Sequence, residues 1–355
     1  GLAFLREWAD QGARVRVPTT LNPAGLDLDQ WQALGFSREF YRRQRQVIEA
    51  YTAMGITPTC TCTPYWVGNR PGLGQHVAWA ESSAVSLANS VLGARTNREG
   101  GPSALAAAIC GRTAAYGLHL DRNRVPTLLV DVHCPLETLS DWRVLGYLVG
   151  KQARDGVPCF LLHDSQPQPP AERQSSPLDD PQLGDRLKTL GAAMAASGAV
   201  ALYHIVGITP EARTDPTPAG IRQITIDDLA PGYEALNTGG TEVDLVSIGC
   251  PHASEAEIVQ VARAVAGKQL KAELWVTTAR ETRARMPDQV ATIEAAGGRV
   301  VADTCLVVAP VHELGFRSIA TNSAKMATYT PSHSGLLVRF GSLPQCIRAA
   351  ETARW

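Results

Sequence analysis

From Val243 to the end of the chain, short apolar runs alternate with amphipathic segments: "VDLVSIGC", "SEAEIVQVARAVAG", "AELWVTT", "DQVATIEAAGG", "RVVADTC", "SIATNSA" and "LLVRF". Runs this apolar are strands buried on both faces, and the helical stretches between them return the chain to lay the next strand parallel to the last. No pattern in the sequence restricts the fold more. It predicts a mostly parallel sheet covered by helices on both sides. Ser254 and Glu257 have the spacing of a capping box at the head of one such helix.

The alternation is also present upstream. "PTLLVDV", "PCFLLHD" and "GAVALYHIVG" predict buried strands, with a helix over "DWRVLGYLVGKQARDG". The proline-rich stretch "SQPQPPAERQSSPLDD" predicts a mobile surface loop. Nearer the amino terminus the patterns predict a strand at Arg14–Pro18, a helix from Ser37 to Met54 and a buried helix over "HVAWAESSAVSLANSVLG". A further helix is expected from Pro102 to Gly111. The expected architecture is α/β, with three units at residues 1–120, 121–237 and 238–355.

Charge and cysteine usage narrow the function. Lys plus Arg number 33 against 34 Asp plus Glu, with no basic block, which argues against a nucleic-acid partner. No stretch approaches the roughly 20 apolar residues of a membrane span. Eight cysteines in 355 residues suit reduced thiols in a cytoplasmic enzyme, as core fillers or metal ligands. The sequence opens on Gly1 inside an amphipathic pattern, so an upstream segment is expected.

In open α/β sheets ligands bind beyond the carboxyl ends of the strands. Cys250 and Cys305 stand at two such ends, and Cys62 lies in the irregular "TCTCTPYWVGNRPG". Three single cysteines from distant parts of a chain can converge on one metal, although a buried structural role is the commoner one for any cysteine alone. Cys60 is the substitute for Cys62. Cys110, Cys134, Cys159 and Cys346 fall in apolar helices or near strands and are expected to be structural.

The stretch "GARTNREGGPSALAAAICG" crowds polar residues against the start of an alanine-rich helix. A helix amino terminus attracts anions. Arg95 and Arg98 add forked donors, Asn97 and Glu99 can orient them, and Gly100 and Gly101 let a ligand approach the backbone. The stretch fits a pocket for a small anion as well as it fits a solvated helix cap. Glu81, Ser82 and Asn89, in a helix of small residues, and the nearby loop of Asn69 and Arg70 favour the pocket. His252 can bind a ligand or cap a helix, and Lys325, after Asn322 and Ser323, can anchor an anion or face solvent.

Several long segments carry a resemblance: "RVPTTLNPAG", the block "TCTPYWVGNRPGLGQHVAWAESSAVSLANSVLGARTNREGGPSALAAA", "ALYHIVGITPEA", "SIGCPHASEAEI", "DTC" and "TNSAKMATYTPSHSGLLVRFGSL". Together they resemble the large subunit, or large-domain half, of aconitase X, within the aconitase superfamily of iron-dependent dehydratases and isomerases. The resemblance implies that Cys62, Cys250 and Cys305 hold iron, as an iron–sulfur cluster or a single ion. It implies substrate contacts from Asn69, Arg70, Ser82, Ser83, Arg95, Thr96, Asn97, Arg98 and Glu99. His252, Ser323 and Lys325 are the catalytic candidates. The superfamily's small swivelling domain, which brings a catalytic serine, is expected as a separate subunit or a fused part, and the family's large subunits begin with a further amino-terminal segment.

The expected activity is therefore a hydro-lyase acting on a small hydroxy acid. The resemblance implies cis-3-hydroxy-L-proline as the substrate of bacterial members, and the alanine- and arginine-rich composition points to a bacterial source, so that substrate is the one expected. Mevalonate 5-phosphate is the alternative, and a non-catalytic anion-binding scaffold or a zinc hydrolase would be outcomes of another class.

Overall fold

The computed structural model describes residues 1–163, 176–212 and 220–355. The first 120 residues contribute helices α1 (Leu2–Asp10), α2 (Arg38–Ala53), α3 (Ser82–Ser90) and α4 (Gly101–Cys110). Ser37 caps α2 by accepting from the Phe40 amide, as its position before the amphipathic run requires. The strand expected at Arg14–Pro18 does not form. The Val15 and Arg16 amides instead donate to the Met54 and Ala108 carbonyls at the ends of α2 and α4, so no ladder is available to them. The helix expected from His76 starts only at Ser82. Before it, the Val77 amide donates to the Arg95 carbonyl, the Trp79 amide to Thr96 Oγ1, and Glu81 serves as the N-cap.

The middle of the chain forms a parallel sheet of β1 (Leu128–Val132), β2 (Pro158–Leu162), β3 (His204–Ile205) and β4 (Arg222–Ile226), in the order β3-β2-β1-β4. The strand expected over "GAVALYHIVG" shrinks to two residues because its neighbours bond elsewhere. The Tyr203 amide donates to Ser90 Oγ, and Asn89 donates to the Ala201 carbonyl. Helices α5 (Leu139–Ala153) and α6 (Pro181–Gly198) pack closely on each other. Their contact needs glycine: a Cβ on Gly198 would lie 1.8 Å from the Gly150 carbonyl oxygen. The proline-rich loop expectation falls largely on residues 164–175, outside the described residues; from Ser176 the chain makes a capped turn into α6.

Helix α7 (Ala230–Ala235) leads to the third part. Here β5 (Leu245–Ile248), α8 (Glu255–Val265), β6 (Glu273–Thr278), α9 (Arg280–Arg285), α10 (Pro287–Ala295) and β7 (Arg299–Ala302) follow in turn. After them come β8 (Ser318–Thr321), α11 (Ala324–His333), β9 (Leu337–Phe340) and α12 (Leu343–Thr352). The five strands are all parallel, in the order β7-β6-β5-β8-β9. The capping box of Ser254 and Glu257 forms as the spacing predicts.

One apolar cluster joins the two sheets, with Trp142, Tyr203 and Trp275 buried in it, and a second lies beneath the five-stranded sheet. Among the described residues no helix is long and apolar enough to cross a membrane.

Candidate metal centre and cleft

In the five-stranded sheet the strand order reverses between β5 and β8, the place where a crevice opens beyond the strand ends. Cys250 leaves β5 there. Gly249 before it has φ +96°, and a Cβ would meet the Thr277 carbonyl at 2.1 Å, so glycine alone fits this exit. Cys305 follows β7, after Asp303 in a left-handed conformation (φ +59°), and its amide donates to the Ala24 carbonyl. Cys62 sits in a buried turn in which the Thr61 and Thr63 hydroxyls are 3.1 Å apart.

His252 joins these three segments. Its amide donates to Cys62 Sγ at 3.1 Å, its Nδ1 lies 2.9 Å from Thr61 Oγ1, and its Nε2 lies 3.0 Å from the Thr304 carbonyl. A carbonyl only accepts, so Nε2 carries the proton and Nδ1 accepts from the threonine hydroxyl. Burial holds the imidazole pKa down at about 4, against the pull of the Thr304 hydrogen bond. The ring is neutral with both nitrogens engaged. The three hydrogen bonds of His252 tie the Cys62, Cys250 and Thr304 segments together.

Lys325, in the first turn of α11, is buried against Glu81 at 2.5 Å. Burial disfavours its charge, but Glu81 and the thiols of Cys250, Cys62 and Cys305 outweigh that and raise its pKa. The charges of these four groups thus act on one ammonium, which Glu81 contacts directly. Burial in turn pushes the thiols up, Cys305 to about 11. Ser83 donates to Glu81 through amide and hydroxyl, at 3.4 and 3.0 Å. Ser323 caps α11, and its hydroxyl donates to the Cys250 carbonyl. Asn322 Oδ1 is buried and has no partner among the described residues.

A charged cluster behind this centre is not anticipated from the sequence. Lys188 in α6 pairs with Asp185 at 2.9 Å and with Glu257, and also donates to the His252 carbonyl at 3.3 Å. Arg143 of α5 reaches Glu257 at 2.8 Å, and Ser254 Oγ reaches Asp185 at 2.6 Å. The signal in the sequence was Asp185 and Lys188 in the first half of a helix that continues into small and apolar residues.

A cleft of about 400 Å³ opens beside the centre. Glu81, Asn69 and Thr61, the neighbour of Cys62, line one part of its wall, and α4 with the residues after it lines another, from Gly101 through Ala104 and Ala108 to Arg112. The polar loop before α4 is committed elsewhere. Arg95 pairs with Asp121 at 2.5 Å, Asn97 bonds the Tyr116 and Leu118 backbone, and Arg98 donates to the Ala195 carbonyl. Thr96 bonds Trp79 and Asn97, and Glu99 accepts from Ser103. Arg70 pairs with Asp179 on the surface. Of the substrate contacts expected from sequence, Asn69 alone lines the cleft, and its Nδ2 donates to Thr20 Oγ1 at 2.8 Å. The charges that act on Cys60 are those of Asp303 and Arg280, whereas Lys325 acts on Cys62, Cys250 and Cys305.

Models of the aconitase X first, second and third domains match residues 1–122, 126–232 and 243–352. The chain is 51% identical to the phosphomevalonate dehydratase large subunit of Methanothermobacter thermautotrophicus, over 95% of this chain and 81% of that protein. It is 36% identical to the cis-3-hydroxy-L-proline dehydratase of Pseudomonas aeruginosa, over 100% of this chain and 61% of that protein. The crystal structure of Thermococcus kodakaraensis aconitase X in its holo form superposes with a TM-score of 0.86 at 43% identity, covering 99% of this chain and 85% of that one.

Proposed function

The chain belongs to the aconitase X family of hydro-lyases, and from that premise we propose that it is the large subunit of a phosphomevalonate dehydratase. The higher identity to the phosphomevalonate protein carries this reading. Cis-3-hydroxy-L-proline, the substrate first expected, gives way to the alternative, because its dehydratases are more distant and this chain spans less of their length.

The cleft supports a substrate with an anion at each end. Gly100 leaves the amino terminus of α4 without a side-chain cap, so its amides are open to one anion. Arg112, beyond the other end of α4, is the one Arg or Lys of the cleft wall. A helix of this length places the two about 15 Å apart, with the alanine face between them. An arginine side chain reaching inward closes most of the remaining distance to a molecule carrying a carboxylate and a phosphate.

We assign Cys62, Cys250 and Cys305 to an iron–sulfur centre. Three soft thiols are the right donor chemistry for it, and the charge of one ammonium acts on all three. Among the described residues the three sulfurs do not all lie within 4.8 Å of one another. When bound, the centre would supply Lewis acidity toward the leaving hydroxyl.

The chain's own groups do the rest. Lys325 stays protonated and gives the site a fixed positive charge beside Glu81. Glu81, held ionised by Lys325 despite burial, presents an acceptor to the cleft. His252 and Ser323 hold the cysteine segments in place. The base that removes the substrate proton comes from a small subunit, the partner that the large-subunit relatives imply.

The test is turnover by the purified chain with its small subunit, on phosphomevalonate and on cis-3-hydroxy-L-proline. Dehydration of phosphomevalonate is expected, with Arg112→Ala raising KM by about tenfold, the cost of one charge-assisted contact of about 1.4 kcal/mol. Turnover of hydroxyproline alone would overturn the assignment.

A further inference from the structure

The four-stranded sheet also has a place where its strand order reverses, between β1 and β4. A second set of ligating side chains gathers there. Asp131 and His133, two residues apart, share one face of the chain leaving β1. Val132 is level with Leu162 of β2 and Ile226 of β4, so the register brings His163 and Asp227 alongside His133.

The Asp131 carboxylate lies between two imidazoles. Its Oδ1 is 2.6 Å from His163 Nε2, and its Oδ2 is 3.1 Å from His133 Nε2. The rings meet edge to face, with centroids 4.9 Å apart. On its other side, His133 Nδ1 lies 3.5 Å from Asp227 Oδ1. Asp131, His133 and His163 each offer a ligand atom within 4.8 Å of the other two. The imidazoles are about half exposed, at 50% and 54%.

We propose that Asp131, His133 and His163 form a second metal site, separate from the cysteine centre, for a divalent transition ion of the zinc or iron(II) class. Two imidazoles and one carboxylate suit such an ion, whereas calcium and magnesium need all-oxygen shells. Donors on one tetrahedral ion with N and O ligands stand about 3.3 Å apart, so small side-chain rotations open the space without moving a strand. Asp227 serves as the outer carboxylate that orients His133 through Nδ1. Three protein ligands leave a coordination position for water or an exogenous ligand. The strand ends supply all the ligands, so the site does not rest on the reading of the cleft or its substrate.

The probe is Co2+, titrated into the iron-loaded chain with its small subunit after removal of loosely held metal. One Co2+ per chain is expected, with ligand-field absorption and no sulfur-to-cobalt charge transfer, since Cys62, Cys250 and Cys305 are occupied and the proposed ligands carry no sulfur. Asp131→Asn and the double variant His133→Ala/His163→Ala are expected to weaken binding by about tenfold or more, and Asp227→Asn by about tenfold. Iron content and the iron–sulfur absorption should be unchanged in all of them, which reports that they fold. Equal Co2+ binding in the wild type and the double variant overturns the proposal. So does a wild type that takes up no Co2+ at micromolar concentrations, with Asp131 and the imidazoles then simply hydrogen-bonded on the surface.

Discussion

Glu81 and Lys325 each carry a charge that burial opposes, and each retains it because the other is 2.5 Å away. Removing one member leaves the other charged in a poor solvent, at a cost of about 3 kcal/mol. Lys325→Met should therefore lower the apparent Tm and abolish dehydration. Adding Glu81→Gln should restore much of the stability but none of the turnover. A double variant as unstable as the single one would mean that Lys325 is held by something other than this pair. His204 allows a separate test through pH. Its Nε2 donates to the Arg124 carbonyl, and burial lowers its pKa. The unfolded chain takes up this proton near pH 6.5. Below that the unfolded state binds more protons, so the stability present above pH 6.5 falls as the pH drops toward the lower folded value. The apparent Tm of His204→Gln should change less between pH 7.5 and 5 than that of the wild type. Equal slopes would remove His204 from the account.

At the scale of elements, the regular parts followed from local pattern. The strands of the five-stranded sheet and the α8 cap lie where period and spacing put them, because propensity, burial and capping agree there. Expectations failed where tertiary partners took the backbone. Arg14–Pro18 had the composition of a strand, but its amides meet the ends of two helices. The α5–α6 contact is equally non-local, since nothing in the sequence says that Gly198 will meet Gly150. Gly198→Ala should cost about 2 kcal/mol or more through overpacking, read as a lower apparent Tm. Gly184→Ala is the control on the same helix. Its Cβ would meet Leu178 at an ordinary 3.5 Å, and the change should be neutral or stabilising. Equal effects of the two would mean that helix propensity, not close approach, governs α6.

Across the whole molecule, the site is assembled from segments far apart in sequence, and that decided how much of it could be read. Cys62, Cys250 and Cys305 stood out because each marked a strand end or an irregular loop. The polar loop from Arg95 to Glu99, expected to meet an anion, bonds the 116–121 segment, the end of α6 and Ser103, while the face of α4 lines the cleft. Arg112 was invisible, and the Asp185–Lys188–Glu257 cluster showed only as charges within one helix, for the same reason: their neighbours come from elements whose packing no local pattern encodes. The central claim is that three remote cysteines hold one iron–sulfur centre. Iron content and visible absorption, measured on anaerobically purified Cys62→Ser, Cys250→Ser and Cys305→Ser beside Cys60→Ser and Cys346→Ser, test it most directly. The account predicts that each of the first three loses iron and colour while the last two keep both; full iron retention in any of the first three would contradict it.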